Sequence, residues 1–495
     1  ISTKDRRVVY LEEVPAQFGQ QLLECFRKFA NAAYGPASLF AFAHWNGLGA
    51  VGVVESQQQM LTPQQVSTLE AGWALYEPAK EFARLGVPPS APEGLPDVST
   101  SAADQSLCPW RLSHVNKAYS LCESYPATLV VPKRIPDGML SQVGSFRKKH
   151  RIPSLSWCAG ADLDHACVFR SSQPCDGLWG NSSEADERLL REISAANGNK
   201  PLFILDLRTH KSALGNKAGG GGYEDYSFTQ LEFAGIPNIH AVRDSYEKME
   251  KAVGKIAYNQ AGGWFADVGG SLWFENLSLI LQAAANVAWK MRQKRAVLVH
   301  CSDGWDRTAQ NTTLAMMAMD PFYRTIEGFC LLIQKEWVSF GHQFKTRLAT
   351  SQKATGEYSP VFFQWLDCVY QFAVVQHPTK FEFNENLLLD LAVFAVSNRF
   401  GTFLADNERE LTSLYAKKTR SVWSVLLGGA DKKYVNERYE GRLPSVAVSF
   451  LPVGFSQPKL KLWERFWFRY HPHLLEGENQ AERGRERLLA GAVTG

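Results

Sequence analysis

The strongest constraint in this chain is the stretch 296–308, where an apolar run leads into a cysteine that is followed six positions later by an arginine. Residues 296–299 are short, apolar and rich in valine, which is typical of a strand buried on both faces. Residues 308–319 have the apolar content of a packed helix. The loop between Cys301 and Arg307 must therefore turn from strand to helix, with its N–H groups converging beside the positive end of the helix dipole. This arrangement predicts an anion-binding loop.

The residue types in the loop suit the hydrolysis of a phosphate ester. The loop amides would stabilise the thiolate of Cys301, which makes this residue the candidate nucleophile. Arg307 offers a planar fork that holds two phosphoryl oxygens at once. His300 is placed to brace the loop, and the hydroxyl of Thr308 to stabilise the thiolate as it leaves. The alternative is a chance match in which the cysteine is a packed core thiol.

The departing alkoxide needs a proton, and the loop holds two carboxyl groups that can supply one. Asp306 is the first candidate, because a bound phosphate repels its carboxylate, raises its pKa and favours the acid form. Asp303 is a weaker second candidate. The alternative role is a helix cap, for Asp303 and to a lesser extent for Asp306. This chemistry requires neither a metal nor a cofactor.

The sequence from His300 to Thr308, His-Cys-Ser-Asp-Gly-Trp-Asp-Arg-Thr, resembles the active-site loop of the myotubularin family of phosphoinositide 3-phosphatases. Trp-Asp in these two positions is found in few other cysteine phosphatases. Six further segments resemble the same family, in the family's order: 151–157, the glycine run with Asn216 and Lys217, 237–240, 336–342, 359–362 and 381–384. The match covers roughly residues 70–475.

The resemblance implies a pocket for a phosphoinositide head group. Asn216 and Asn238 match asparagines that contact the inositol phosphate, and Arg347 matches an arginine that faces the substrate. The residues implied to bind substrate are Ser302, Gly304, Trp305, Asn216, Lys217, Asn238, Ile239 and Arg347. From the residues alone, the glycine run between Gly215 and Gly222 is either a ligand-approaching segment or a plain loop.

Gln343 departs from the family pattern, which commonly has a second basic residue at this position. A glutamine cannot neutralise a phosphate, so support for a 5-phosphate would be reduced. This favours phosphatidylinositol 3-phosphate over the 3,5-bisphosphate as substrate. Lys345 is either a compensating cation or a solvated surface lysine.

Residues 128–131 and 202–207 have the apolar composition of buried strands, and residues 271–290 have the apolar spacing of a helix. Strands and helices thus alternate along the chain. They predict an α/β fold, with a largely parallel central sheet flanked by helices and the catalytic loop at the carboxyl end of a strand. The resemblance makes this a cysteine-phosphatase-like domain preceded by a remnant of a PH-GRAM domain. The expected organisation is the C-terminal part of an incomplete PH-GRAM-like domain at 1–46, a linker at 47–69, the catalytic domain at 70–475 and a charged tail at 476–495.

Composition limits the kinds of partner and the cellular location that we expect for this chain. A formal net charge of +3 argues against a nucleic-acid binder that relies on bulk charge. Nine cysteines without a C-x-x-C pair favour reduced thiols and a cytoplasmic location. Because no long apolar run is present, we expect peripheral contact with a membrane surface, of endosomal type by resemblance. The basic run 145–151 is either a membrane-contacting patch or a solvated turn, whereas the aromatic segment 462–470 is expected to be core.

The predicted function is a lipid phosphatase that removes the 3-phosphate through a phosphocysteine intermediate. One alternative is a protein-tyrosine phosphatase, which would use the same loop chemistry. The other is a catalytically silent scaffold that binds lipid or a partner, although loss of the cysteine, aspartate or arginine usually marks such proteins. Homo- or hetero-oligomers with related phosphatases stay open.

Overall fold

The fold is built around a five-stranded sheet, accompanied by a two-stranded one. The computed structural model describes residues 72–89, 108–159, 166–257, 262–349, 356–416, 418–428, 432–441 and 448–470. The strands are β1 (Trp110–Ser113), β2 (Leu129–Pro132), β3 (Ser154–Cys158), β4 (Cys167–Ser171), β5 (Leu202–Asp206), β6 (Thr229–Phe233) and β7 (Ala296–His300). The predicted segments 1–46, 47–69 and 476–495 lie outside the described residues.

Helices surround the sheet. The α-helices are α1 (Pro78–Arg84), α2 (Asp137–Phe146), α3 (Glu184–Ala196), α4 (His210–Ala218), α5 (Ile239–Ala257), α6 (Trp264–Gly270), α7 (Trp273–Arg292), α8 (Arg307–Met319), α9 (Ile326–Ile333), α10 (Phe344–Leu348), α11 (Val361–Val369), α12 (Glu385–Val396), α13 (Glu408–Glu410), α14 (Trp423–Leu426) and α15 (Glu464–Trp467). Wider π-helical turns follow α9 at Gln334–Ser339, α11 at Tyr370–Gln376 and α13 at Leu411–Tyr415. Short 3₁₀ turns occur at Lys148–His150, Pro321–Arg324, Gly401–Phe403, Lys432–Tyr434 and Gln457–Lys459. No helix within the described ranges is both long and apolar enough to span a bilayer.

The central sheet has the order β3-β4-β7-β5-β6, in which β3 pairs antiparallel with β4 and the other pairs are parallel. The prediction of a largely parallel sheet is confirmed. Every residue of β4, β5 and β7 is buried, which explains why all but the last residue of β5 and of β7 are apolar, whereas β4 contains a buried arginine, Arg170. Ser171 and Asp206 both lie in register with His300, so these three strands end together. The loops that follow them meet at one edge of the sheet, where α/β proteins place their sites.

Two helices bracket the central strand β7. Helix α7 precedes it and α8 follows it, close to the predicted spans 271–290 and 308–319. Residues 308–319 of α8 are all buried. The hydroxyls of Thr312 and Thr313 donate to the carbonyl oxygens of Thr308 and Ala309, at 2.9 and 2.6 Å. These bonds satisfy the polar groups of a helix that has no solvent-exposed face within this span.

The aromatic segment near the end of the described chain belongs to the hydrophobic core, as expected. Trp463, Phe466 and Trp467 are buried. The rings of Trp463 and Phe466 stack at 4.8 Å, and Trp467 meets Trp273 of α7 edge-on at 5.2 Å. The segment therefore closes the core over α7 and is not a membrane-interface helix.

The basic run 145–151 is not the uniform surface patch that its sequence suggests. The guanidinium of Arg147 is fully buried and forms ion pairs with Asp186 at 2.7 Å and with Glu224 at 2.5 Å. Arg151 is also fully buried. The interpretation of the run as a membrane patch is therefore wrong for these two arginines, whereas Ser145, Lys149 and His150 are exposed and Lys148 is half-buried.

Replacing Arg147 with methionine should destabilise the protein strongly, because Asp186 would keep a buried charge without its cation. Breaking such a buried pair costs about 3–5 kcal/mol. The control is Lys80→Met, whose pair with Glu77 is solvent-exposed and contributes less than about 1 kcal/mol. Urea denaturation of both variants measures the difference, and equal losses of unfolding free energy would contradict the structural role of Arg147.

Candidate active site

The loop between β7 and α8 surrounds the Cys301 thiol with donors. The Sγ atom accepts from the backbone N–H of Gly304 at 3.3 Å and from the hydroxyl of Thr308 at 3.4 Å. Only 3% of Cys301 is exposed. Donors at these positions stabilise a thiolate, because they place positive dipole ends against its charge. The placement of Thr308 is the one that its position in the sequence suggested.

Gly304 is required where the loop turns. Its φ is +80°, and a Cβ at this position would lie 2.3 Å from the carbonyl oxygen of Ser171. Its own carbonyl oxygen accepts from Arg151 at 3.0 Å and from Arg170 at 2.7 Å. The carbonyl therefore points out of the loop, while the N–H of the same residue points towards Cys301. A side chain at this position would disrupt both contacts.

The two arginines that hold this carbonyl are themselves anchored. Arg170 forms a buried ion pair with Glu336 at 2.8 Å. Arg151 donates to the carbonyl oxygen of Phe340 at 2.8 Å, and its guanidinium lies 4.2 Å from the centre of the Tyr125 ring. Both side chains are fully buried, so their geometry is set by packing. Arg170 is not among the predicted site residues, although an arginine inside an otherwise apolar strand is a signal of a buried ion pair.

His300 braces the loop from the strand side. Its Nε2 lies 2.9 Å from Glu224 Oε2, and its Nδ1 lies 3.2 Å from the carbonyl oxygen of Cys301. Burial lowers the pKa of the imidazole, but the carboxylates of Glu224 and Asp206 outweigh it and the pKa is raised. Burial likewise raises the pKa of the Glu224 carboxyl, but His300 and Arg147 hold it well below its usual range. Glu224 was not anticipated, because it is distant from the motif in sequence.

Asp306 is held by two basic side chains. Arg347 donates to both of its oxygens, at 3.1 and 3.0 Å, and His342 Nδ1 lies 3.1 Å from Oδ1. Burial raises the pKa of the Asp306 carboxyl, but Arg347 and His342 outweigh it and hold the pKa well below its usual range. The protein groups around Asp306 therefore favour the ionised form, opposite to the effect expected of a bound phosphate. Arg347 also pairs with Glu357 at 3.3 Å.

Asp303 does not cap the helix. Its Oδ1 lies 3.1 Å from the ammonium of Lys148, and both side chains are partly exposed. The residue at the N-cap position of α8 is Asp306, whose side chain makes no capping bond. Asp303 is thus the more solvated of the two loop carboxylates.

One of the proposed pocket residues contacts the loop directly. Asn216 Nδ2 donates to the Ser302 hydroxyl at 3.2 Å, and Arg307 donates to the carbonyl oxygen of Ile236 at 3.1 Å. Exposed Asn238 follows two residues later, where its side-chain oxygen accepts from the first N–H groups of α5. The pocket wall thus consists of the end of α4 and the start of α5.

Lys217, Ile239 and Trp305 make their contacts within the protein. Lys217 forms an ion pair with Asp176 at 2.8 Å. The carbonyl of Ile239 accepts from the Ser359 hydroxyl at 2.8 Å. The Trp305 ring is largely buried, and its carbonyl oxygen accepts from His342.

The glycine run is shaped by packing. A Cβ on Gly221 would lie 2.4 Å from the Gln173 side chain, and one on Gly222 would overlap Asp176. The run therefore needs glycines because two side chains from the loop after β4 press against it. In the segment 341–347, the neutral Gln343 is half-buried just before α10, and Lys345 is paired with Glu410.

The site contains a buried cysteine that accepts from a loop N–H, an arginine six residues later, and a helix that begins at this arginine. This is the arrangement of a cysteine-dependent phosphatase. Comparison with known proteins agrees. The model of the myotubularin-like phosphatase domain matches residues 55–412. The chain therefore belongs to the myotubularin-like phosphatase family.

Relatives at moderate identity cover most of the chain. Rat (Rattus norvegicus) myotubularin is 41% identical over 428 residues, which are 85% of this chain and 66% of the relative. Mouse (Mus musculus) phosphatidylinositol-3,5-bisphosphate 3-phosphatase MTMR2 is 39% identical over 436 residues, 86% of this chain and 63% of the relative. The chain thus spans about two thirds of the length of these relatives.

Replacing Arg347 with methionine should destabilise the protein in a pH-dependent way. In the wild type the folded-state pKa of Asp306 lies below its unfolded value of about 3.9, so the carboxylate contributes stability above that pH and loses it as the pH falls through the folded-state pKa. Without Arg347, only His342 opposes the effect of burial, so the carboxyl takes up a proton at a higher pH than in the wild type. The loss should be about 3–5 kcal/mol at neutral pH and should shrink as the solution is acidified.

Urea denaturation over a series of pH values measures this difference. Introducing Asp306→Asn into both proteins removes the titrating group, so the pH dependence of the difference should disappear. A destabilisation by Arg347→Met that stays constant with pH would contradict the coupling of the two residues.

Proposed function

We propose that this chain is a phosphoinositide phosphatase that removes the 3-phosphate of phosphatidylinositol 3-phosphate. The observation that carries the proposal is the donor arrangement around Cys301, with the N–H of Gly304 and the hydroxyl of Thr308 both on the sulfur. The activity is assigned to residues 70–475, and residues 1–46 to part of a PH-GRAM-like domain. The substrate lies in a membrane, so the enzyme acts at a bilayer surface.

In the first step the Cys301 thiolate attacks phosphorus in line with the bond to the inositol oxygen. The sulfur–phosphorus bond forms, the phosphorus–oxygen bond breaks, and Asp306 in its acid form gives a proton to the departing oxygen. Arg307 and the loop N–H groups stabilise the charge on the transferring phosphoryl group. The products are phosphocysteine and a lipid with a free 3-hydroxyl.

In the second step water attacks the phosphocysteine. The sulfur–phosphorus bond breaks, the thiolate leaves with help from the Thr308 hydroxyl, and the carboxylate of Asp306 accepts the proton of the water. Asp303 is the alternative base. It pairs with Lys148, and its side chain is more exposed than that of Asp306. Inorganic phosphate is released.

The ion pair between Asp306 and Arg347 must change when substrate binds. Arg347 holds the carboxyl in its ionised form, whereas the first step needs the acid form. A phosphate dianion repels the carboxylate and attracts the guanidinium, and both effects raise the pKa of Asp306. We therefore propose that Arg347 swings towards the substrate, which couples head-group binding to protonation of the general acid.

The choice of substrate depends on the charge near a second phosphate. Gln343 contributes no cation, and Lys345 is neutralised by Glu410. The mouse relative carries the name of a 3,5-bisphosphate 3-phosphatase, so the bisphosphate remains a second substrate for this chain. The shortage of cations at this position favours the monophosphate.

Asp306→Asn should lower kcat on short-chain phosphatidylinositol 3-phosphate by about 10²–10⁴-fold. The same change should have a much smaller effect on p-nitrophenyl phosphate, because its leaving group departs without a proton. Phosphate release measures both rates, with Cys301→Ser as the inactive background and Asp303→Asn as the matched control. The first step is isolated by measuring the leaving group released in a single turnover, before phosphocysteine is hydrolysed. Equal losses on both substrates in that measurement would show that Asp306 does not donate the proton to the leaving group.

Gln343→Arg should raise kcat/KM on the short-chain 3,5-bisphosphate about tenfold, since a hydrogen bond to a charged group of this kind is worth about 1.5–3 kcal/mol. Activity on the 3-phosphate should change little. Lys345→Gln is the control, because its ammonium is occupied by Glu410 and its loss should leave the ratio between the two lipids unchanged. A ratio unaffected by Gln343→Arg would refute the argument from charge.

A further inference from the structure

Two large apolar side chains project into water from the loop that follows β4. Leu178 is 67% exposed and Trp179 is 93% exposed. Gly177 and Gly180 flank them with φ values of +60° and +66°, so the backbone turns sharply on both sides. We call Leu178 and Trp179 the apolar tip. A tryptophan in this position is unusual, because large apolar side chains are normally covered unless they have a partner.

Hydrogen bonds and an ion pair fix the two ends of the loop segment that carries the apolar tip. The N–H of Gly177 donates to the carbonyl of Gly221 at 3.0 Å, and the N–H of Asn181 donates to the carbonyl of Asp176 at 2.7 Å. The Asp176 carboxylate forms its ion pair with Lys217. The tip is therefore presented by a braced loop, with its apolar side chains directed away from the core.

The residues that brace the apolar tip lie beside the catalytic loop. Strand β4 runs parallel to β7, so the segments that follow them leave the same edge of the sheet. The N–H of Gln173 donates to the carbonyl of Ser302 at 3.2 Å, and Lys217 is the neighbour of Asn216, which donates to the Ser302 hydroxyl. Trp179 is three residues beyond Asp176, a reach of at most about 11 Å. The apolar tip thus belongs to the rim of the site.

Cations and a third apolar side chain lie on neighbouring elements. The N–H of Lys148 donates to the carbonyl of Gln173, and exposed Lys149 follows it. Helix α4, which carries Asn216, also exposes Lys211 and Leu214, spaced so that they share one helical face. The part of the basic run that is not buried therefore stands at the base of the loop that carries the apolar tip.

From this arrangement we infer that the apolar tip inserts into the interface of an anionic bilayer and holds the active site against the lipid surface. Tryptophan is enriched at the boundary between head groups and acyl chains, and flanking lysines attract anionic lipids. The inference rests on the proposed function, since a lipid substrate places the mouth of the site at the bilayer. A protein partner would not require the tip to lie beside the catalytic loop.

The test compares Trp179→Ala and Leu178→Ala with the wild type on two forms of one substrate. The first is phosphatidylinositol 3-phosphate in vesicles of phosphatidylcholine and phosphatidylserine, and the second is its short-chain form below micelle concentration. Each variant should bind the vesicles about tenfold more weakly, as expected for losing one inserted apolar side chain. Hydrolysis in vesicles should fall with binding, while hydrolysis of the short-chain lipid should stay unchanged.

Phe265→Ala is the matched control. Phe265 is 85% exposed on α6, which packs beside the far end of α5 through the ion pair of Lys255 with Asp267. Helix α5 starts at the pocket with Ile239 and runs for 19 residues, about 27 Å at 1.5 Å per residue. Vesicle binding by Phe265→Ala should match the wild type.

A second measurement reports insertion directly. Brominated phospholipid should quench part of the wild-type tryptophan fluorescence, and Trp179→Phe should lose that part while keeping most of its vesicle binding. Unchanged vesicle binding by Trp179→Ala and Leu178→Ala would overturn the inference. So would an equal loss of short-chain hydrolysis, which would place the tip inside the pocket, or self-association that depends on Trp179 without an effect on vesicles.

The two proposals fail in different ways. A wild-type chain that binds vesicles through Trp179 but releases no phosphate from either lipid would refute the proposed function and leave the docking surface in place. A chain that hydrolyses the short-chain lipid normally but binds vesicles without using Trp179 would refute the docking surface alone.

Discussion

The site depends on one carbonyl group, that of Gly304, which two buried guanidinium groups hold away from the active site. Arg151 approaches it from the segment just before β3, and Arg170 from β4. Because a peptide unit is planar, fixing its carbonyl also fixes the direction of the N–H across the same bond. That N–H belongs to Trp305 and points to the side opposite the carbonyl, while the N–H of Gly304, in the preceding peptide unit, donates to Cys301. N–H groups of successive residues can then face the cysteine and a phosphate, although this gathers positive dipole ends in one place. A glycine is needed for this turn, since Ser171 leaves no room for a side chain.

Arg170 and two further buried basic groups beside the loop, Arg147 and His300, are paired with carboxylates, and these pairs extend the site well into the fold. Arg170 pairs with Glu336, and on the other side of β7 the Glu224 carboxylate serves both Arg147 and His300. Burying so many charges adds little net stability, because each loses its hydration. What the pairs provide is a loop geometry that is set before the substrate arrives, which is the condition for electrostatic catalysis.

The surroundings of Asp306 set its protonation state before substrate binds, and the proposed reaction needs both protonation states of this residue. Held by Arg347 and His342, its carboxyl is ionised, which suits the base of the second step. The acid form that the first step needs would come from the charge of the phosphate. A single residue can thus serve as acid and as base, because the substrate itself changes the electrostatic balance. In this view Arg347 connects substrate binding to proton transfer.

Local signals were sufficient for much of the fold and for the centre of the site. The apolar run before Cys301, the spacing to Arg307 and the helix after it are all short-range features, and they predicted strand, loop and helix closely. The glycine run was harder to interpret, because its glycines make room for Gln173 and Asp176, which lie 45 or more residues away in sequence. The basic run 145–151 was misinterpreted in part for the same reason. Two of its arginines find buried carboxylates or carbonyls that no local pattern reveals.

The sequence by itself determined the class of chemistry, because nucleophile, phosphate-binding arginine and both carboxyl groups lie within seven consecutive residues, whose relative placement follows from a strand, a tight turn and a helix. Only the tertiary structure decided which charges oppose one another. It paired Asp306 with Arg347, Asp303 with Lys148 and His300 with Glu224, and it placed Trp179 at the rim of the site. The physical reason is that Coulomb interactions and burial depend on distance in space, which strands that are remote in sequence set when they pair in one sheet.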